Sequence, residues 1–203
     1  MGGRIAVLAS GSGTNLQALL DHPAVGPAVS LAISDRAAAA ALPRARERGV
    51  EAIHLDPKGF GSPEDHDAAL VRLLEDRGIH LVCLAGYMRI LSPVAVRAFE
   101  GRIVNVHPSL LPAFPGAHAV RDALEWGVKV TGCTVHIVDE EVDHGPILAQ
   151  EAVPVLVNDD EAALHARIQA VEHRLYPATV GALQEGRLKV AGRGVTRAAE
   201  ART

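Results

Sequence analysis

The sequence predicts an α/β fold: an open, mostly parallel, twisted sheet of about seven strands with helices on both faces, and an antiparallel strand in the C-terminal half. Short aliphatic runs recur at residues 4–9, 31–34, 50–55 and 81–85, the pattern of strands buried on both faces. Helical stretches lie between them, so strand and helix alternate as in βαβ units. Residues 129–138 and 147–155 are instead two strand-like runs joined by a short polar turn, which suits an antiparallel pair.

The elements follow in order. Residues 4–9 (RIAVLA) form the first strand and lead through Ser10, Gly11, Ser12, Gly13, Thr14 and Asn15 into a helix over LQALL. This small-residue loop reads either as a tight turn or as an anion cradle built on backbone N–H groups and the helix dipole. The third glycine of a dinucleotide fingerprint is missing, and so is a phosphate-loop lysine. After the strand at 31–34, five alanines propose a helix over 37–48 that Gly49 closes. A strand at 50–55 and a Pro/Gly loop precede a helix over 64–77, with Leu70, Leu73 and Leu74 on its buried stripe. The strand at 81–85 ends in an apolar loop, Tyr87 to Leu91, which is either ordinary core or one wall of a pocket for a flat ligand. Ser92 and Pro93 read as N-cap and first turn of a short helix.

Residues 103–116 (IVNVHPSLLPAFPG) run a strand into a loop restrained by Pro108, Pro112 and Pro115. Asn105 and His107 are two apart and share a strand face. A helix is expected at 118–126. Asn158 and Glu161 resemble a capping box opening the last helix, where Gln169 and Glu172 share a face and Pro177 should end or kink the run.

With 203 residues, 48% hydrophobic and 3% aromatic, one domain over 1–190 with an aliphatic core is expected, followed by a flexible tail over 191–203. Lysine and arginine number 20 against 24 acidic residues, with no basic block, which argues against nucleic acid but permits a phosphorylated small molecule. Cys83 and Cys133 lie in separate apolar runs, as buried thiols of a reducing compartment do. Neither a signal peptide nor a run approaching ~18 apolar residues occurs, so a cytoplasmic protein without a membrane partner is expected. Its assembly is expected to be a monomer or a homodimer.

Candidate chemistry follows by elimination. Ser109 is confined between Pro108 and leucines, the cysteines are mid-strand, and no G-x-S-x-G elbow exists. No H-E-x-x-H or cysteine pair suggests a metal, and none is expected. What remains is attack by an amine on a carbonyl, for which Asn105 can hold the developing oxyanion, His107 can share that task and move a proton, and Asp143 can orient the histidine.

HPSLLPAFPG, with Asn105 two residues before His107, and DHGP at 143–146 resemble the 10-formyltetrahydrofolate-dependent formyltransferase family. The likeness covers about residues 4–188, including ASGSGTNLQAL, LAGYMRILS and the Gln169/Glu172 helix. It implies a Rossmann-like domain with a folate cleft and formyl transfer from 10-formyltetrahydrofolate to the glycinamide amine of a ribotide in purine synthesis. It also implies that Asn105, His107 and Asp143 are catalytic, that Gly13, Thr14 and Asn15 hold the ribotide phosphate, and that Gln169 and Glu172 face its ribose or glycinamide. His118 joins the substrate side. Met88, Arg89, Ile90 and Leu91, with Val138, Asp139, Glu140 and Val142, would enclose the pterin. Pro63 stands where similar enzymes often have arginine, with Lys58 a substitute, and Val120 stands where some relatives have a second histidine. The rival expectations are a formyltetrahydrofolate deformylase and a non-catalytic nucleotide- or folate-binding module.

Overall fold

The computed structural model describes residues 3–198. Strands β1 (Arg4–Leu8), β2 (Val29–Ser34), β3 (Glu51–His54), β4 (Ile79–Leu84), β5 (Ile103–His107), β6 (Val130–Ile137) and β7 (Ile147–Pro154) form one sheet in the order β3-β2-β1-β4-β5-β6-β7. Pairs from β3 through β5 are parallel, whereas β6 is antiparallel to both neighbours. The helices are α1 (Thr14–Asp21), α2 (Ala41–Glu47), α3 (Pro63–Asp76), α4 (Pro93–Ala98), α5 (Ala119–Trp126) and α6 (Glu161–Gln184).

Alternation along the parallel strands divides the core. Ile5 and Val7 pack with Leu16, Leu19, Ala41, Ala45 and Tyr176, placing α1, α2 and α6 on one face. Ala6 and Leu8 pack with Leu70, Leu74, Ala95 and Val96, placing α3 and α4 on the other. The order reverses beside β1, so the loops after β1 and β4 diverge and leave the crevice that open α/β sheets offer to ligands.

Several expectations are corrected. The alanine run is not helical before Ala41: Ser34 Oγ accepts from Arg36 N–H, Ala39 N–H donates to Arg36 O, and the turn delivers Ala41 N–H to Gly11 O at 3.2 Å. Tertiary contact with the loop after β1 overrides helix propensity there. Ser92 takes the N-cap place of α4 with Pro93 opening its first turn, as expected, but its side chain makes no cap bond; its N–H donates instead to Asp67 Oδ2 at 2.6 Å. Asp160, not Asn158, caps α6, accepting from Ala163 N–H at 2.7 Å. Pro177 lies inside α6 without ending it. An interior proline costs about 3 kcal/mol, and buried Leu164, Ile168, Val180 and Ala182 on either side hold the helix against the sheet. The segment from 191, expected as a tail, instead supplies part of a hairpin, β8 (Leu188–Ala191) with β9 (Gly194–Arg197), while 199–203 lie outside the described residues. Leu188 is buried in the core and Val195 packs on it, which gives this polar segment an anchor.

Candidate active site

The crevice begins at the loop after β1. Gly13 has φ +73°, and a Cβ there would meet Ala41 Cα at 2.7 Å, so the loop needs glycine at that point. Behind it α1 opens with Thr14 and Asn15, both tied to α6: Gln169 Nε2 donates to Thr14 Oγ1 at 3.0 Å, and Asn15 Nδ2 donates to Glu172 Oε2 at 2.9 Å. Burial pushes the Glu172 carboxyl above its ordinary range, against the Asn15 hydrogen bond. Asn15 Oδ1 is buried without a partner, an acceptor left for a ligand's hydroxyl or amine.

Asn105 and His107 stand on β5 facing Asp143. Val138 N–H donates to Ile103 O at the start of β5, so the chain after β6 must run back along that strand to deliver Asp143. Asp143 adopts φ +52°, its Oδ2 accepts from Gly116 N–H at 2.8 Å, and it lies 3.3 Å from His107 Nδ1. His107 Nε2 lies 2.8 Å from Phe114 O and must carry the hydrogen donated to that carbonyl, which leaves Nδ1 as the nitrogen facing the site. His136 donates from Nδ1 to Ile137 O at 2.9 Å, so its Nε2 accepts from Asn105 Nδ2 at 3.2 Å. The second Asn105 hydrogen reaches Asp143 Oδ1 at 3.5 Å, a long bond and the easier one to exchange for substrate.

Electrostatics set the resting charges. Burial pulls His107 below its ordinary value of 6.5, opposed by Asp143, so the ring is neutral near pH 7. Burial also works to raise Asp143, but the hydrogen bond from Gly116 N–H and the neighbouring His136 and His107 rings hold it below the usual carboxylate range. The loop between His107 and Gly116 is fixed from β6 and β7: Thr134 Oγ1 donates to Ser109 O and accepts from Leu111 N–H, and Gln150 Nε2 donates to Leu111 O.

The apolar wall lies across from these groups. Met88 N–H donates to Ser10 Oγ at 2.8 Å, and Ser10 donates onward to Asp35 at 2.6 Å. With Ser92 N–H on Asp67, the wall loop is pinned at both ends. Met88 is 62% exposed and Ile90 75%, an unusual apolar exposure that suits a ligand. Arg89 Nε is buried without a partner, a free donor. Val138, Asp139, Glu140 and Val142 form the opposing wall, with Glu140 held by Arg97 at 2.6 Å. Gly13, Thr14 and Asn15, the Met88–Leu91 wall, Asn105, His107, Gly116, His136, the loop from Val138 to Asp143, Gln169 and Glu172 line one cavity of about 530 Å³. Among the described residues, no group of three or more His, Cys, Asp or Glu is arranged to hold a metal.

A family model described as formyl transferase matches residues 3–180. The chain belongs to the formyl transferase family. Within it, the chain is 47% identical over 195 residues to the phosphoribosylglycinamide formyltransferase of Mycobacterium tuberculosis, covering 95% of this chain and 90% of that protein. It is 45% identical to the trifunctional purine biosynthetic protein adenosine-3 of Gallus gallus, but the match, 94% of this chain, spans only 19% of that protein. Among solved structures, glycinamide ribonucleotide transformylase 1 from Symbiobacterium toebii superimposes with a TM-score of 0.94 at 54% identity, covering 97% of this chain and 94% of that one.

In this formyl transferase, every residue expected at the site lines the cavity except His118, which is exposed at the N-cap of α5. Neither Pro63 nor Lys58 lines it. Sequence reasoning did not assign His165, Gly116 or the Phe114 carbonyl. His165 is signalled by its spacing, four and seven residues before Gln169 and Glu172 on one helix face. His136, on the more polar face of β6, emerges as the partner of Asn105.

Proposed function

We propose that the protein transfers the formyl group of 10-formyltetrahydrofolate to the glycinamide amine of phosphoribosyl glycinamide, a cytoplasmic step of purine synthesis. One observation carries the reading: a single cavity joins the Gly13–Thr14–Asn15 loop to an apolar wall, with Asn105, His107 and Asp143 between them. The likeness to relatives named for this transfer supports it. The folate fits by volume, since ligand pockets run about 300–1,000 Å³, and by the exposed Met88 and Ile90 beside the free Arg89 donor.

The folate supplies the formyl carbon, which exchanges its bond to the folate nitrogen for one to the amine. Asn105 Nδ2 releases its long bond to Asp143 and donates to the formyl oxygen as negative charge grows there; one such donor is worth about 3–4 kcal/mol of barrier. The amine loses a proton as it adds. His107 Nδ1, neutral and unshared, takes it directly or through water, and the imidazolium so formed lies 3.3 Å from Asp143, which stabilises it. The same proton then passes to the departing folate nitrogen, so the site ends as it began. At the other end, α1's first amides hold the phosphate, and Asn15 Oδ1 and Glu172 accept from ribose or glycinamide donors.

The test mixes purified protein with 10-formyltetrahydrofolate and phosphoribosyl glycinamide and follows the folate absorbance. Turnover that requires the ribotide is expected; turnover independent of it would mean hydrolysis, and none at all would remove the enzymatic reading.

A further inference from the structure

The hairpin of β8 and β9 has no part in the chemistry above, yet its turn touches the catalytic loop. Ala198 N–H donates to Arg187 O at 2.8 Å and closes the base, Leu188 is buried, and Gly192 at φ +57° makes the tight reversal that presents Arg193. Arg193 Nη2 donates to His144 O at 2.8 Å, and Nη1 lies 3.2 Å from His144 Nε2. The other ring nitrogen, Nδ1, lies 2.8 Å from Asp139 Oδ2. One neutral tautomer satisfies both contacts: Nδ1–H donates to Asp139 and bare Nε2 accepts from Arg193. Asp139 Oδ1 also accepts from Glu141 N–H at 3.1 Å. The loop is thus closed on itself through Asp139 and fastened from outside through Arg193.

His144 directly follows Asp143, whose positive φ is uncommon for a residue with a side chain. On the far side, a Cβ on Gly145 would meet Ile137 O at 2.0 Å, so that residue is pressed against the end of β6. Arg193 holds the carbonyl between these two constraints and so fixes the His144–Gly145 peptide plane, one residue beyond Asp143.

We propose that Arg193 is a positioning residue: the hairpin turn grips His144 so that the neighbouring Asp143 is set against Asn105 and His107 before substrates bind. This rests on the formyl-transfer reading above. Arg193 is exposed, so its replacement leaves the fold intact.

The full chain carrying Arg193→Ala or Arg193→Lys is compared with the parent by amide hydrogen exchange without substrates and by steady-state transfer. In the alanine variant, exchange over 140–145 quickens while α1 and α6 keep their protection. Its kcat falls roughly tenfold or more, as a displaced catalytic group predicts, while the ribotide KM stays within about twofold. Lysine restores part of the loss, because its ammonium reaches His144 O but cannot also serve the ring. Unchanged loop exchange, or kcat within about twofold of the parent, overturns the assignment. Because exchange needs no turnover, a parent with a protected loop and no transfer would count against the formyl-transfer reading and leave the clamp to be judged by exchange alone.

Discussion

At the level of single residues, Asp143 combines three demands: a positive φ, a hydrogen bond from Gly116 and a 3.3 Å approach to His107. Asparagine tolerates the left-handed region as aspartate does, so Asp143→Asn keeps the backbone and the acceptor for Gly116 N–H while removing the charge and the second acceptor oxygen, the one that takes the long bond from Asn105. Ribotide affinity by calorimetry should stay within about twofold while kcat falls by about 10²–10⁴, the range for general acid–base catalysis that has lost its support; near-parental turnover would remove Asp143 from its role beside His107. The pH profile carries a sign. Burial lowers the His107 value below 6.5 and Asp143 raises it again. In the proposed transfer His107 must be neutral to take the amine proton, so the acid limb of kcat/KM is expected below pH 6.5 in the parent. It moves to still lower pH in the asparagine variant, where the raising charge is gone. A shift upward would contradict the arrangement. Asn105 and His107 were legible because they bracket a strand end before three prolines. The tautomers were not, since they depend on Phe114 O and Ile137 O, carbonyls that no side-chain pattern encodes.

Among the elements, α6 connects most of the site. Tyr176 is fully buried, and its hydroxyl lies 3.0 Å from Leu84 O and 2.9 Å from Val104 O, bridging β4 and β5 directly behind Asn105. Burial pushes both this phenol and the Cys83 thiol up, the latter to about 12, so the hydroxyl stays a donor at any working pH. Tyr176→Phe should therefore cost about 1–3 kcal/mol in urea unfolding, the penalty for buried acceptors losing a donor. An unchanged midpoint would show that the strand carbonyls are satisfied without it. The strands themselves were legible from aliphatic runs, but helix boundaries were read less well wherever tertiary contact outweighed local preference. Ala37 to Ala40 are spent in a turn that seats Ala41 under Gly13, and Pro177 persists because α6 is packed on both sides of it. The hairpin carries few apolar residues, so its order comes from Leu188 and Val195 meeting a core laid down far earlier in the chain.

Across the whole molecule, acid sensitivity should come first from histidines. Burial lowers the folded values of His107 and His173 below 6.5. The unfolded chain then binds more protons, so their contribution is present above about pH 6.5 and is lost as pH falls toward the folded values. Glu172, raised by burial, works the other way at lower pH. The thermal midpoint should thus decline as pH drops from about 7 to 5.5, and His173→Asn should make that decline shallower; an equal slope in the variant would assign the effect elsewhere. The alternation of strand and helix announced the architecture, while the strand order did not follow from it, because periodicity says which face is buried and not which strand is neighbour. That order has a consequence for how the protein is made. Asn15 and Glu172 meet across 157 positions of sequence, and Thr14 and Gln169 across 155. A chain emerging from the ribosome can pair β1 with β2 early, yet the pocket proposed for the ribotide is incomplete until its last long helix has been synthesised and has docked. Binding competence therefore arrives late and all at once, as a report that the chain is whole through α6.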